Sequence, residues 1–193
     1  MEPPSLASLF FDLATIAGLI VLASFFVAAE IALISLRDSQ VREIASRGKR
    51  GARVAALAAH PNRLLAAVQI GVTVSGFLSA ALGADQLGDY VIPWLESLGL
   101  ASAWATTISL IGVTLVIAYF SLVFGELVPK RVALFRAEEI ALATAGIINF
   151  VANIFRPLIW LLSRSTDFVL RAFGVDPKVQ RSQMSEEELL DLV

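Results

Sequence analysis

The chain has 193 residues, 57% of them hydrophobic and only 17% charged, with a mean hydropathy of +0.76. Ordinary soluble domains carry roughly 25% charged residues, so this balance excludes that class and reads as a membrane protein. A net charge of -2 excludes the basic footprint of a nucleic-acid binder, and zero Cys excludes disulfide and thiolate chemistry.

A hydrocarbon core about 30 Å thick needs roughly 20 apolar residues in helix. The first stretch of that length runs from Leu9 to Leu36. No basic residue precedes Arg37, so the stretch lacks the positive n-region of a signal peptide and reads as a retained span. It carries Ser24 at mid-membrane and Glu30 about 9 Å further along the helix.

Residues 37–63 follow, with Arg37, Arg42, Arg47, Lys49, Arg50, Arg53 and Arg63 among alanines. This block reads as a helical extension of span one that ends near His60 and Pro61. His60 has no second His or Cys nearby and is assigned no role.

The second span is Leu64 to Ala84. Gly71, Ser75, Ser79 and Gly83 recur every fourth residue, so they share one face of it. The stripe suits either close packing through small residues or a weakly polar lining. An acidic connection over 85–99, with Asp85, Asp89 and Glu96, leads to the third span, Leu100 to Gly125.

That span ends in "FGELVPKR", residues 124–131. Glu126 is an ionisable group at membrane depth, costly unless it faces a polar cavity or a partner. The plainer alternative is a headgroup-level pair with Lys130 at i+4, worth a few tenths of a kcal/mol. Pro129 has no backbone N–H, so a helix break there would leave the Gly125 carbonyl free to face a ligand.

A fourth apolar segment, Ile140 to Ser163, is interrupted by Arg156 and Pro157, and its uncharged part is short for a crossing. It reads as two juxtamembrane helices, about 137–165, with Asn149 and Asn153 on one face. The remaining 166–193 read as a linker and the start of a helix, with Ser185 and Glu188 at capping-box spacing, that leads into an absent soluble domain.

All 15 Lys and Arg lie in 37–63 or from Lys130 onward. The positive-inside rule then places both blocks in the cytoplasm and the N-terminus outside. The expected fold is an all-α membrane protein of three transmembrane helices plus a cytoplasmic-side juxtamembrane helical hairpin, with the C-terminus inside.

Carboxylates and hydroxyls in apolar helices, without His or Cys clusters, point to a hard cation such as Mg²⁺, Na⁺ or Ca²⁺. No catalytic triad, Walker loop or dinucleotide turn is present in the sequence, which argues against an enzyme or an ATP-driven pump.

"FFVAAEIALISL", "LLAAVQIGVTVSGFLSAALGAD" and "FGELVPKRVAL" resemble the CNNM/CorC magnesium transporters over most of residues 9–165. The resemblance implies a homodimer in the inner (plasma) membrane, with an inward-facing acidic cavity for Mg²⁺. It also implies a cytoplasmic CBS-domain pair after the acidic ending "SEEELLDLV". By the same resemblance, Ser24, Ser75, Ser79 and Glu126 hold the ion, and Na⁺ is the coupling ion. Where relatives have Asn this chain has Ser79, a shorter ligand, which leaves a position for water or the Gly125 carbonyl; Glu30 is a cavity-wall candidate.

The functional expectation is secondary Mg²⁺ transport by alternating access, export driven by Na⁺ entry. The rivals are a Mg²⁺-binding scaffold or sensor without transport, and a passive divalent-cation channel.

Overall fold

The structure, a computed structural model, describes residues 6–173. Among these every regular element is helical: α1 (Leu6–Ile34), α2 (Asp38–Ala45), α3 (Lys49–Ala58), α4 (Pro61–Ser97), α5 (Ser102–Phe120), a π-helical segment (Ser121–Leu127), α6 (Val128–Phe135), α7 (Ala137–Ile154) and α8 (Arg156–Ala172). Four helical stretches are long and apolar enough to cross a membrane: Leu6–Ile34, Pro61–Ser97, Ser102–Phe135 and Ala137–Ile154. The expected start of a helix at Ser185 lies outside the described residues.

Helices occupy the three expected span regions, with different limits. Helix α4 has 37 residues and runs straight through the acidic connection expected over 85–99, with Pro93 inside it. Its extension is anchored by packing: Leu87 and Val91 lie against Ile16, Ile20, Val113 and Ile117. The Tyr90 hydroxyl is 2.9 Å from Ser8 Oγ and 3.2 Å from Asp12 Oδ2. Leu87, Val91 and Leu95 recur at helical spacing, so the acidic residues occupy the other faces of a continuing helix. The true turn is Leu98–Ala101, where Gly99 has φ +90°, a left-handed conformation that suits glycine.

Residues 37–58 are not an extension of span one. Arg37 leaves the helix at φ −77°, ψ 154°, and its N–H donates to Gln40 Oε1 at 3.0 Å, starting the separate α2. Gly48, at φ +98°, then turns the chain into α3. The elbow tucks Ile44, Val54 and Leu57 beneath Ala29, Ala32 and Leu33 of α1 and Leu64 of α4. Ala29 and Ala32 are fully buried, as expected of small residues that let helices approach closely.

Pro129 does not break the third span. The helix instead widens before it: the Val128 N–H reaches the Val123 carbonyl, five residues back, and α6 continues from Val128. The register shift of that wide turn lets the helix pass through Pro129, which donates no backbone hydrogen bond, and the rod continues to Phe135.

The expected helical pair is present as α7 and α8, hinged at Phe155 with Pro157 in the first turn of α8. Helix α8 extends through Ala172 instead of ending at 165. Ala141, Ala145 and Ile148 of α7 join the core formed by the end of α1, the α2–α3 elbow and the start of α4, and Ala152 packs on Ala67 and Ile70. Its other faces meet arginines along the whole length: Arg47 pairs with Glu138, Arg53 lies beside Gly146, and Arg63 donates to Asn153 Oδ1 at 2.6 Å.

Candidate functional site

Helices α1, α4 and α5 and the π-helical segment line an open cavity of about 300 Å³. Its polar lining is Ser75 and Ser79 from α4 together with Ser121, Gly125 and Glu126 from the π-helical segment. Leu19, Ile20, Ala23 and Val27 of α1 form one apolar wall, and Val72, Ala118 and Leu122 add further apolar lining.

The four-residue stripe on α4 divides its work. A Cβ at Gly71 would lie 2.5 Å from the Phe26 ring, and one at Gly83 would lie 1.9 Å from Ile117 Cδ1. Both glycines therefore serve close packing, one toward each end of the cavity. Ser75 and Ser79 between them are 2% and 1% exposed and belong to its lining. Packing and polar lining, alternatives in the sequence, are both present at different turns of one face.

The Ser79 hydroxyl has no hydrogen-bond partner among the described residues. Buried polar groups are nearly always satisfied, because an orphan costs about 1–3 kcal/mol. An oxygen left bare beside a cavity is one that a cation or its hydration water would satisfy.

Glu126 stands half-exposed at the edge of the cavity, and its carboxylate accepts from Lys130 Nζ at 2.5 Å. The i+4 pair forms in spite of the intervening proline because the helix continues through it. Glu30, expected in the cavity wall, is not among the residues that line it, although it is near enough to Glu126 and Lys130 to feel both charges. No group of three or more His, Asp or Glu side chains suited to a metal occurs among the described residues. A cation here would thus rely on one or two carboxylates plus neutral oxygens.

The remaining expected site residues fall as follows. Gly125 is buried against α1, with space for a Cβ at 3.6 Å from Ile20 Cγ2, so bulk at this position is tolerated by ordinary contact. Ser24 is half-buried on α1 and is not part of the cavity lining; Ala23 and Val27 take the α1 positions there. Ser121 was not singled out in the sequence. Its only signal is a place one turn before Gly125, and the wide π turn brings residues five apart, Ser121 and Glu126, nearer one face. Gln86 Oε1 and Ser109 Oγ, further along α4 and α5, are also buried without partners among the described residues.

The CNNM family, described as the Cyclin M transmembrane N-terminal domain, matches residues 14–193. A UPF0053 protein of Synechocystis sp. is 41% identical over 172 residues, covering 89% of this chain and 38% of the relative. A Haemophilus influenzae protein named "Polyamine export protein" is 32% identical over 186 residues, 96% of this chain and 43% of the relative. The UPF0053 inner membrane protein YfjD of Escherichia coli is 29% identical over 174 residues, 89% and 37% of the two chains. The chain thus spans about two fifths of the length of these relatives. Matched over nearly its whole length, and with several helices long enough to cross a bilayer among the described residues, the chain belongs to the CNNM family of membrane domains.

Proposed function

We propose that the chain is the membrane domain of a secondary Mg²⁺ transporter that exports Mg²⁺ against Na⁺ entry. The observation that carries this reading is the cavity in which Ser75, Ser79, Ser121 and Gly125 converge beside Glu126, with the Ser79 hydroxyl lacking a partner. Mg²⁺ takes oxygen ligands in octahedral geometry and gives up water reluctantly, so it is held by one or two carboxylates with neutral oxygens and retained waters. This lining has that character. An inside-negative potential opposes export by about 4.6 kcal/mol per 100 mV for a divalent ion, which a coupling ion must offset.

The topology that fits this reading has three spans, with α7 lying along the cytoplasmic face. Arginines 47, 53 and 63 contact α7 near its start, middle and end. A crossing helix would carry some of them to the bilayer centre at a cost of several kcal/mol. Helix α8 alternates Trp160, Leu161 and Phe168 with Arg164, Asp167 and Arg171, the pattern of an interfacial helix. A Cys placed at Ser165 is expected to react with an impermeant thiol reagent only from the cytoplasmic side; labelling from outside would restore a fourth crossing. Homodimerisation, a cytoplasmic CBS-domain pair and residence in the inner (plasma) membrane complete the proposal.

A second reading has its own support. The Haemophilus relative is named for polyamine export, and Glu126 already carries an alkylammonium, that of Lys130. Apolar Leu19, Ile20 and Val72 beside it would suit the methylenes of a polyamine. Proteoliposome flux tests both. Mg²⁺ efflux that rises with an opposing Na⁺ gradient and is insensitive to spermidine is expected. Spermidine flux without Mg²⁺ flux would replace the first reading with the second, Mg²⁺ flux indifferent to Na⁺ would favour a channel, and binding without any flux would favour the scaffold.

A further inference from the structure

A second pocket, of about 610 Å³, opens between α3 and α7 and shares no lining residue with the cavity just described. Arg50, Arg53, Gly146, Asn149, Phe150 and Asn153 define it. We propose that it binds the phosphate headgroup of an anionic phospholipid in the cytoplasmic leaflet. The proposal rests on the cytoplasmic placement of α7 and not on which cation is carried.

The charges in this pocket are unspent. Arg47 pairs with Glu43 and Glu138, Lys130 with Glu126, and Arg136 with Glu139. Among the described residues, no carboxylate lies within ion-pair distance of Arg50 or Arg53. Two guanidiniums at one opening are forks suited to bidentate contact with phosphate oxygens.

The local backbone is arranged around them. A Cβ at Gly146 would meet Arg53 Nη1 at 3.4 Å, an ordinary contact distance, which places the guanidinium against α7. Asn153 accepts from Arg63 through Oδ1, which leaves its amide N–H₂ free to donate to an anion. Asn149 adds a second neutral amide.

The rim separates a lipid from a soluble anion. Ile147 and Phe150 line the same pocket while 52% and 62% exposed. A free phosphate gains nothing from such a wall, whereas the acyl chains of a lipid would cover it. Basic pockets beside cytoplasmic helix ends are a known way to hold anionic headgroups.

The test is native mass spectrometry of the full chain released from vesicles of phosphatidylcholine with phosphatidylglycerol, wild type against Arg50→Gln/Arg53→Gln. The double variant is expected to retain phosphatidylglycerol roughly thirtyfold less, the loss for two basic residues at an anionic surface. Arg42→Gln, which removes a charge on α2 outside the pocket, is expected to retain it as wild type does. Equal retention by the double variant overturns the proposal, and so does an equal loss in Arg42→Gln, which would reduce the effect to general surface attraction. Displacement of the lipid by millimolar inorganic phosphate would reassign the pocket to a soluble anion and overturn it as well. Mg²⁺ binding is expected to be unchanged in the double variant, so failure here and failure of the transport reading are separately visible.

Discussion

Glu126→Gln is expected to weaken Mg²⁺ binding by about 10- to 100-fold while leaving the helical fold intact. A loss of that size is about 1.4–2.8 kcal/mol, close to the worth of one hydrogen bond to a charged group. Two effects act in the same direction. The substitution removes the carboxylate at the edge of the Ser75–Ser79 cavity, and it releases Lys130, whose ammonium now repels an approaching cation without a neutralising partner. Lys130→Met should act in reverse: it frees the carboxylate and strengthens binding, at little cost to a pair so exposed. Titration calorimetry on the detergent-purified chain reads both. Unchanged affinity in Glu126→Gln would return the Glu126–Lys130 pair to a surface ion pair on a helix and move the cation site elsewhere.

The largest effect on stability is expected at Gly51. A Cβ there would lie 1.8 Å from the Ile44 carbonyl oxygen and 2.7 Å from its carbon. The obstacle is backbone, so no rotamer change relieves it, and Gly51→Ala must push α2 and α3 apart. That separation unpacks Ile44, Val54 and Leu57, which are 1%, 0% and 2% exposed, from beneath α1 and α4. Overpacking of this kind costs about 3 kcal/mol, to be read as a lower Tm and a reduced folded yield. Gly76→Ala is the matched control. Nothing lies within 4 Å of a Cβ at that position, and in mid-helix the change should stabilise by about 0.5–1 kcal/mol. A Gly51→Ala protein as stable as wild type would mean that the α2–α3 elbow is not packed as described.

Chemistry that depends on composition was legible in the sequence, because it needs no knowledge of which face meets which. The low charge and long apolar runs identify a membrane protein by the cost of burying polar groups in lipid. The hinge between α7 and α8 was readable from Arg156 and Pro157, since proline is favoured in the first turn of a new helix. Glu126 was readable as exceptional because a carboxylate at the end of an uncharged run is expensive there.

Where the linear pattern was read too simply, the physical cause is identifiable. Acidic residues at 85–96 resembled a connection, yet Leu87, Val91 and Leu95 on the remaining face keep α4 helical by packing on neighbours the linear pattern does not reveal. Pro129 was expected to end a helix, but a π turn upstream shifts the hydrogen-bond register so that the helix passes through it. That Ser121 lines the cavity and Ser24 does not was beyond the linear pattern, because a hydroxyl lines a cavity only if the helix is rotated to present it, and rotation is set by packing partners.

The sequence by itself thus determined the solvent in which this protein folds, the division of its charge into two basic blocks, and the residue types able to meet a hard cation. Only the tertiary structure decided which of those residues share a cavity, that Lys130 reaches Glu126, and that Arg50 and Arg53 lie against α7 without carboxylate partners among the described residues. Composition and periodicity constrain each helix separately, whereas a site is a relation between helices, fixed by their rotation and crossing once small residues such as Ala29, Gly71 and Gly83 let them close.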